Sequence, residues 1–304
     1  NRRKLAHTGH SVQEIVTAGV TLAKQAVAGM PARVALDMGP LGELLEPMGS
    51  LRFEEAYALF GEMARCGAAA GADLVAIETM TDLYEAKAAL LAVKEQTDLP
   101  VFVTMSFDEG GRTFTGCTIP SMARTLEGLG ADAIGLNCSL GPDQLLPLLS
   151  QLCRHTRLPV IAKPNAGLPD PVDGHYHMAP EAFAAALLRG LEAGVTIFGG
   201  CCGTSPEYIR RLRAALADKH PVPRRYAGKA FVCTPTRPLR LDGVRVIGER
   251  INPTGKKRFQ QALLEEDLDY ILDVAVQQED AGADILDVNV GYPGVDEVDM
   301  LPRV

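Results

Sequence analysis

The sequence predicts a (β/α)8 TIM-type barrel that lacks its amino-terminal strands and is followed by the opening βα units of a second barrel. Three observations predict it. Short apolar runs rich in Val and Ile alternate with longer helical runs along most of the chain. Those short runs are apolar without alternation, as in strands covered on both faces. A Gly-centred junction recurs where a helix gives way to a strand: Ala70-Gly71-Ala72-Asp73, Gly130-Ala131-Asp132, Ala193-Gly194-Val195 and Ala281-Gly282-Ala283-Asp284.

Taken in order, the strand-like runs are 34–38, 74–79, 101–107, 133–138, 160–163 and 196–201. The helical stretches between them are 12–27, 53–69, 83–95, 121–129, 143–155 and 180–192. A helix after every strand requires right-handed crossovers and hence a parallel sheet. At each junction the Gly can take the left-handed conformation that ends a helix, and the strand starts at once. One device used repeatedly points to repeated βα units. Six units fit before residue 218, whereas a closed barrel needs eight. The polar segment 1–10 leads straight into a helix and reads as the loop after a strand, so two strands and one helix are expected upstream. An open doubly wound sheet is the alternative, and it needs no such additions.

After residue 218 the texture changes. Segment 219–243 contains Lys219-His220-Pro221-Val222-Pro223-Arg224-Arg225 and Thr234-Pro235-Thr236-Arg237-Pro238. Proline fixes the backbone and blocks both helix and central strand, so this basic stretch reads as a linker. A strand at 244–248, a helix at 265–281 and a strand at 285–290 then open a second βα domain. The expected organisation is a first barrel over 1–218, a linker over 219–243 and the start of a second barrel over 244–304.

A chain of 304 residues can bury a sizeable core. Its net charge of -8 argues against a nucleic-acid-binding surface and against an anionic membrane partner. No apolar run is long enough to cross a bilayer, and no charged-then-apolar leader opens the sequence. The seven cysteines are an odd number in a chain far longer than disulfide-stapled mini-domains, so a reducing, cytoplasmic compartment is expected. Cys66 and Cys153 sit in apolar helical runs and read as small core residues. Cys117 and Cys233 lie in loop-like segments, whereas Cys138, Cys201 and Cys202 stand at strand ends.

Those last three carry the chemistry. Neighbouring residues of a regular strand point to opposite faces, so Cys201 and Cys202 can reach one metal only if the backbone turns sharply. The run Gly199-Gly200-Cys201-Cys202-Gly203-Thr204 surrounds the pair with glycines that permit the turn. In a barrel the turn falls on the face formed by the carboxyl ends of the strands, where active sites lie, and Asn137-Cys138-Ser139 ends another strand on the same rim. Three thiolates and one open position make a tetrahedral zinc site that can take a substrate ligand. Buried inert thiols, or a strained vicinal disulfide between Cys201 and Cys202, are the plainer readings.

The segment from Phe198 through Gly199-Gly200-Cys201-Cys202-Gly203-Thr204-Ser205-Pro206-Glu207-Tyr208-Ile209 resembles the zinc signature of the homocysteine S-methyltransferase family. Gly135-Leu136-Asn137-Cys138 resembles the family's other zinc-ligand strand, and Ile77-Glu78-Thr79 the strand whose acidic residue holds the homocysteine amino group. The resemblance covers about residues 1–218. It implies Zn2+ on Cys138, Cys201 and Cys202, homocysteine bound through Glu78, and Asn137 orienting a ligand or the substrate. Without it, Glu78 reads as a structural ion pair and Asn137 as satisfying backbone groups at the strand end. Further on, Ile247-Gly248-Glu249-Arg250-Ile251-Asn252-Pro253-Thr254-Gly255-Lys256 and Leu286-Asp287-Val288-Asn289-Val290-Gly291 resemble the start of the pterin-binding barrel of the cobalamin-dependent methionine synthase family.

That second resemblance implies methyl transfer to the homocysteine thiolate to give methionine, with methyltetrahydrofolate as methyl source and cobalamin, bound outside this chain, as carrier. Asn252 and Asn289 are then candidates for the pterin end of the second barrel, with Asp287 either beside them or structural. The family's amino-terminal Asp-Gly strand, most of its pterin barrel and its cobalamin-binding domain or subunit are not in this sequence. Betaine- and S-methylmethionine-dependent relatives share the zinc motif but lack the second domain. A zinc-binding module whose metal only staples the fold is the non-enzymatic reading, although a structural site calls for four protein ligands. Two weaker candidates remain. His175 and His177 alternate in a Pro/Gly loop that reads as solvated, and the loop 108–115, with Glu109-Gly110-Gly111-Arg112, either covers the site or is an ordinary turn.

Overall fold

The computed structural model describes every residue except 225, 227 and 229, so part of the expected linker lies outside the described residues. Two compact units result, one of residues 1–228 with 233–238 and the other of 229–232 with 239–304.

The larger unit opens with α1 (Arg2–Leu5) and α2 (Val12–Ala26) and then alternates strand and helix. The order is β1 (Ala35–Met38), α3 (Phe53–Ala69), β2 (Leu74–Met80), α4 (Leu83–Gln96), β3 (Val101–Met105), α5 (Ile119–Gly128) and β4 (Ala133–Asn137). It continues with α6 (Pro142–His155), β5 (Val160–Lys163), α7 (Pro180–Leu188), α8 (Gly190–Ala193), β6 (Ile197–Phe198) and α9 (Pro206–Leu216). The six strands form one parallel sheet in sequence order, with β1 and β6 at its edges. Each strand pairs with the next, as in Leu36↔Val75, Thr104↔Gly135 and Asn137↔Lys163.

Local sequence explains the elements. Ser11 and Glu14 form a reciprocal capping box that starts α2, and Asp82 and Thr118 cap α4 and α5. The helix-stop glycines Gly71, Gly130 and Gly194 all take positive φ, between 85° and 89°, as the repeated junction predicts. Facing the helices, Val75, Ile77, Val101, Val103, Met105, Ile134, Leu136, Val160 and Ala162 are all fully buried. Each such Val, Leu or Ile contributes ~1.5–3 kcal/mol by leaving water. Strand alternation places Asp37, Glu78, Thr104, Asn137 and Lys163 together on the opposite face, toward the carboxyl ends of the strands.

Several boundaries differ from expectation. Segment 1–10 contains the short helix α1, capped by Asn1, where a loop was expected. The sixth strand keeps only Ile197–Phe198, because the chain leaves the ladder at the glycines before the vicinal cysteines. The helix expected over 180–192 divides at Arg189 into α7 and α8.

One buried acid in this unit titrates in an accessible range. Glu85 on α4 is 4% exposed and accepts a hydrogen bond from the Leu41 amide at 2.6 Å. Burial pushes its carboxyl from an ordinary 4.5 up to about 7. The folded state therefore holds this proton more tightly than the unfolded chain. The resulting stabilisation is full below the unfolded value and is lost as pH rises toward the folded one. Glu85→Gln keeps an acceptor for Leu41 and cannot ionise. It is expected to raise stability by about 2 kcal/mol above neutral pH and to flatten the pH slope in the window below it, read by denaturant unfolding across that range. An unchanged slope in the variant counts against Glu85 as its source.

The segment expected as linker carries a two-stranded ribbon of β7 (Phe231–Cys233) and β8 (Pro238–Arg240). Thr234-Pro235-Thr236-Arg237 turns it, closed by the Thr234 amide on the Arg237 carbonyl at 3.0 Å. Proline is tolerated at the start of such an edge strand because no ladder amide is needed there.

In the smaller unit follow β9 (Ile247–Ile251), α10 (Lys257–Leu264), α11 (Leu268–Asp280), β10 (Ile285–Val288) and α12 (Glu297–Arg303). β9 and β10 pair in parallel. The strand expected at 244–248 starts three residues later, since Val244 is 92% exposed and the ladder begins at Ile247↔Ile285. The helix expected over 265–281 is α11, which starts three residues later, and α10 precedes it where no helix was expected. Glu266 takes a φ of 55° and Asp267 caps α11 by accepting from the Tyr270 amide, which separates it from α10. A small core of Ile251, Phe259, Ala262, Leu263, Ile271, Val290 and Met300 holds this unit together. Among the described residues no helix is long and apolar enough to cross a membrane.

Candidate metal and substrate centre

Cys138 follows the last residue of β4 with a φ of 59°, and Ser139 follows at 55°. Two successive non-glycine residues in the left-handed region are costly, so the surroundings must hold them there. The Cys138 amide is tied to the Lys163 carbonyl of β5 at 3.1 Å. Beyond β6 the Cys201 amide donates to the Pro164 carbonyl at 2.8 Å, and the Cys202 amide to Oδ1 of Asn165 at 3.1 Å. Thr204 Oγ1 donates to the Cys201 carbonyl at 2.7 Å, and Gly203 takes a φ of 78°. These bonds make the sharp turn that the vicinal pair needs.

The result is a three-sulfur cluster. Cys138 Sγ and Cys202 Sγ lie 3.7 Å apart, and all three sulfurs lie within 4.8 Å of one another. Thiolates about 2.3 Å from a tetrahedral zinc stand about 3.8 Å apart, so the donor set fits that ion. All seven cysteines are free. Burial, then Cys138 and then Cys202, push the Cys201 thiol up to about 12. Three sulfurs this close cannot all ionise without a cation among them.

Asn137 is fully buried beside the cluster. Its Oδ1 accepts from the Thr79 amide at 2.9 Å, and its Nδ2 donates to Thr79 Oγ1 at 2.7 Å and to Cys201 Sγ at 3.9 Å. It thus ties the end of β2 to a sulfur of the cluster. Thr79 itself stands at a φ of 61°, a strained place for a β-branched residue. Glu78, just before it, makes an ion pair with Lys163. Asp37 shares their face, and its carboxyl is held above its ordinary value by desolvation and by Glu78, with Lys163 opposing.

Lys163, Asn165 and Tyr176 escaped the sequence reading. The available signal for Lys163 was a charged residue closing an otherwise apolar strand, the pattern that had marked Glu78. Tyr176 lies against the turn: a methyl group added at Gly203 would sit 2.4 Å from its ring. Its phenol is held above its ordinary value by desolvation and then by Cys202, Cys138 and Cys201. The flanking histidines stay outside the cluster, with His177 Nε2 3.0 Å from Asp173 Oδ2 and His175 Nδ1 2.8 Å from the Asp173 carbonyl. In the loop 108–115, Asp108 and Arg112 are bonded to each other, and Thr115 Oγ1 donates to the Thr81 carbonyl at 3.3 Å and to Asp82 Oδ1 at 3.1 Å, just beyond β2. In the smaller unit, Asn252 and Asn289 follow the adjacent strand ends. Their side chains accept from the amides of Thr254 and Gly291 at 2.9 and 2.8 Å. Asp287 is exposed on β10.

The fold and site together define a parallel α/β module whose strand ends gather three thiols beside a carboxylate–ammonium pair. The chain belongs to the homocysteine S-methyltransferase family, whose profile matches residues 1–216. It is 34% identical over 303 residues to methionine synthase of Mycobacterium tuberculosis (strain ATCC 25618 / H37Rv), covering 94% of this chain and 25% of that protein. Methionine synthase of Mycobacterium leprae (strain TN) is 34% identical over 275 residues, 84% of this chain and 23% of that protein. The chain therefore spans about a quarter of the length of these relatives. Among solved structures it is similar to the homocysteine methyltransferase MmuM from Escherichia coli. The metallated form gives a TM-score of 0.58 at 23% identity over 69% of this chain and 74% of that one. The apo form gives 0.54 at 22% identity over 68% and 75%. These likenesses show the fold.

Proposed function

We propose that this chain is the homocysteine-activating part of a methionine synthase, transferring a methyl group to the homocysteine sulfur to give methionine. The single observation that carries the reading is the cluster of Cys138, Cys201 and Cys202, with all sulfurs within 4.8 Å and no fourth protein thiol beside them among the described residues. Those three residues would hold Zn2+, whose chemistry is to keep a coordinated thiol ionised near neutral pH. Asn137 positions Cys201, and Glu78 takes the substrate ammonium. The methyl group comes from methyltetrahydrofolate by way of cobalamin held elsewhere in the longer protein. The likeness to methionine synthases along 94% of the chain supports this route.

In the same reading, the six consecutive parallel strands are part of a (β/α)8 barrel whose remaining strands pair with the free edges of β1 and β6. The β9–β10 pair, with Asn252 and Asn289 at its carboxyl end, opens the pterin-binding barrel. That tail favours the cobalamin route over betaine- or S-methylmethionine-dependent transfer. A metal that only staples the fold calls for a fourth protein ligand, which the cluster does not supply.

Zinc-edge absorption spectroscopy tests the proposal. The zinc-loaded protein should show three sulfur neighbours, and four after homocysteine is added. A count that stays at three, or a resting site with four sulfurs, sinks the substrate-ligand role.

A further inference from the structure

The ion pair between Glu78 and Lys163 joins strands that are not neighbours in the sheet. Glu78 lies on β2 and Lys163 on β5, with β3 and β4 between them. The Lys163 side chain therefore reaches over the carboxyl ends of two strands, one of which is followed by Cys138. Its own carbonyl holds the Cys138 amide at 3.1 Å. On the other flank, a methyl group added at Gly199 would sit 3.1 Å from Lys163 Cγ, so the stem runs beside the residue two before Cys201. The pair is partly buried, with 29% of the Lys163 side chain and 22% of Glu78 exposed.

Resting on the zinc and homocysteine reading above, we infer that Lys163 is the carboxylate-binding residue of the amino-acid site, and that the Glu78–Lys163 pair opens to take the two charges of the substrate zwitterion. Glu78 offers a carboxylate to the ammonium, and Lys163 offers an ammonium to the α-carboxylate. Every partly buried charge then keeps a partner of opposite sign before and after binding, so neither is stranded. A substrate with only one of the two charges leaves one member of the opened pair unpaired. The site thus discriminates an α-amino-acid thiol from a simple thiol by its charges, independently of the sulfur–metal bond. The competing possibility is that Lys163 only neutralises Glu78.

Three thiols of equal reach separate these. Homocysteine carries both charges, 3-mercaptopropylamine lacks the carboxylate and 4-mercaptobutanoate lacks the ammonium. Binding to the zinc-loaded full-length protein is measured by calorimetry, with zinc content checked in every variant. Lys163→Met is expected to weaken homocysteine and 4-mercaptobutanoate by about ten- to a hundredfold and to leave 3-mercaptopropylamine unweakened. Glu78→Gln is expected to show the reverse selectivity. Lys163→Gln repeats the test with a polar neutral side chain, should Lys163→Met fail to fold. Equal weakening of all three thiols, or undiminished binding of 4-mercaptobutanoate, overturns the assignment while leaving the zinc reading intact. A parent protein that takes up zinc but binds homocysteine no better than 3-mercaptopropylamine also overturns it. Absence of zinc uptake by the parent removes the reading on which it rests.

Discussion

Cys201→Ala and Cys202→Ala are each expected to abolish stoichiometric zinc, whereas Cys66→Ala retains it. Structural zinc sites bind with about 10–16 kcal/mol, shared over their ligands. Removing one thiolate of three should cost roughly 3–5 kcal/mol, about three orders of magnitude in affinity. The two cysteines should behave alike even though adjacent strand residues normally face opposite ways, because Gly203 and the Asn165 and Pro164 hydrogen bonds turn both inward. Cys66 lies within α3, away from the strand ends, and serves as the control. Metal analysis after dialysis against a weak chelator gives the measurement. Full zinc in both variants would mean that the 4.8 Å cluster does not hold the ion.

What the sequence revealed of this site follows from how local each feature is. The vicinal cysteines announced their turn because the glycines that permit it are their immediate neighbours. Cys138 was found because it ends an apolar run. The strands β2 and β5 were placed within a residue or so because strands covered on both faces leave an uninterrupted apolar signature. The misses are non-local. Lys163 meets a partner 85 residues away, a contact that exists only once the sheet has formed. Tyr176 sits between two histidines that drew attention to themselves, yet it is the tyrosine ring that lands on Gly203. The start of α11 was placed three residues early because Glu265-Glu266-Asp267 is compatible with a helix interior, and α10 was not expected at all. Only the left-handed Glu266 and the Asp267 cap reveal where α11 begins. At 244–248 the apolar pattern misled in the other direction, since Val244 and Val246 are exposed.

Zinc affinity is expected to climb steeply with pH, and the thiol cluster fixes both the sign and the limits of the slope. A coordinating cysteine must give up its proton, so each thiol that is neutral in the metal-free protein releases one proton on binding. Affinity then rises tenfold per pH unit for every proton released. Cys201 alone sets the lower limit: with its thiol pushed up to about 12 by burial and by its two neighbours, it is neutral throughout the usual working range and releases its proton at every pH there. Three protein thiols set the upper limit, a thousandfold per unit. The apparent zinc affinity should therefore rise between about ten- and a thousandfold per pH unit from about pH 6 to about pH 8, a range below the usual thiol value of about 8.5. Competition against a chromophoric chelator, corrected for the chelator's own protonation, measures the slope. Cys138→Ala should lower both the affinity and the limiting slope by one proton. An affinity independent of pH would exclude thiolate coordination by Cys201 and transfer the metal to groups already ionised.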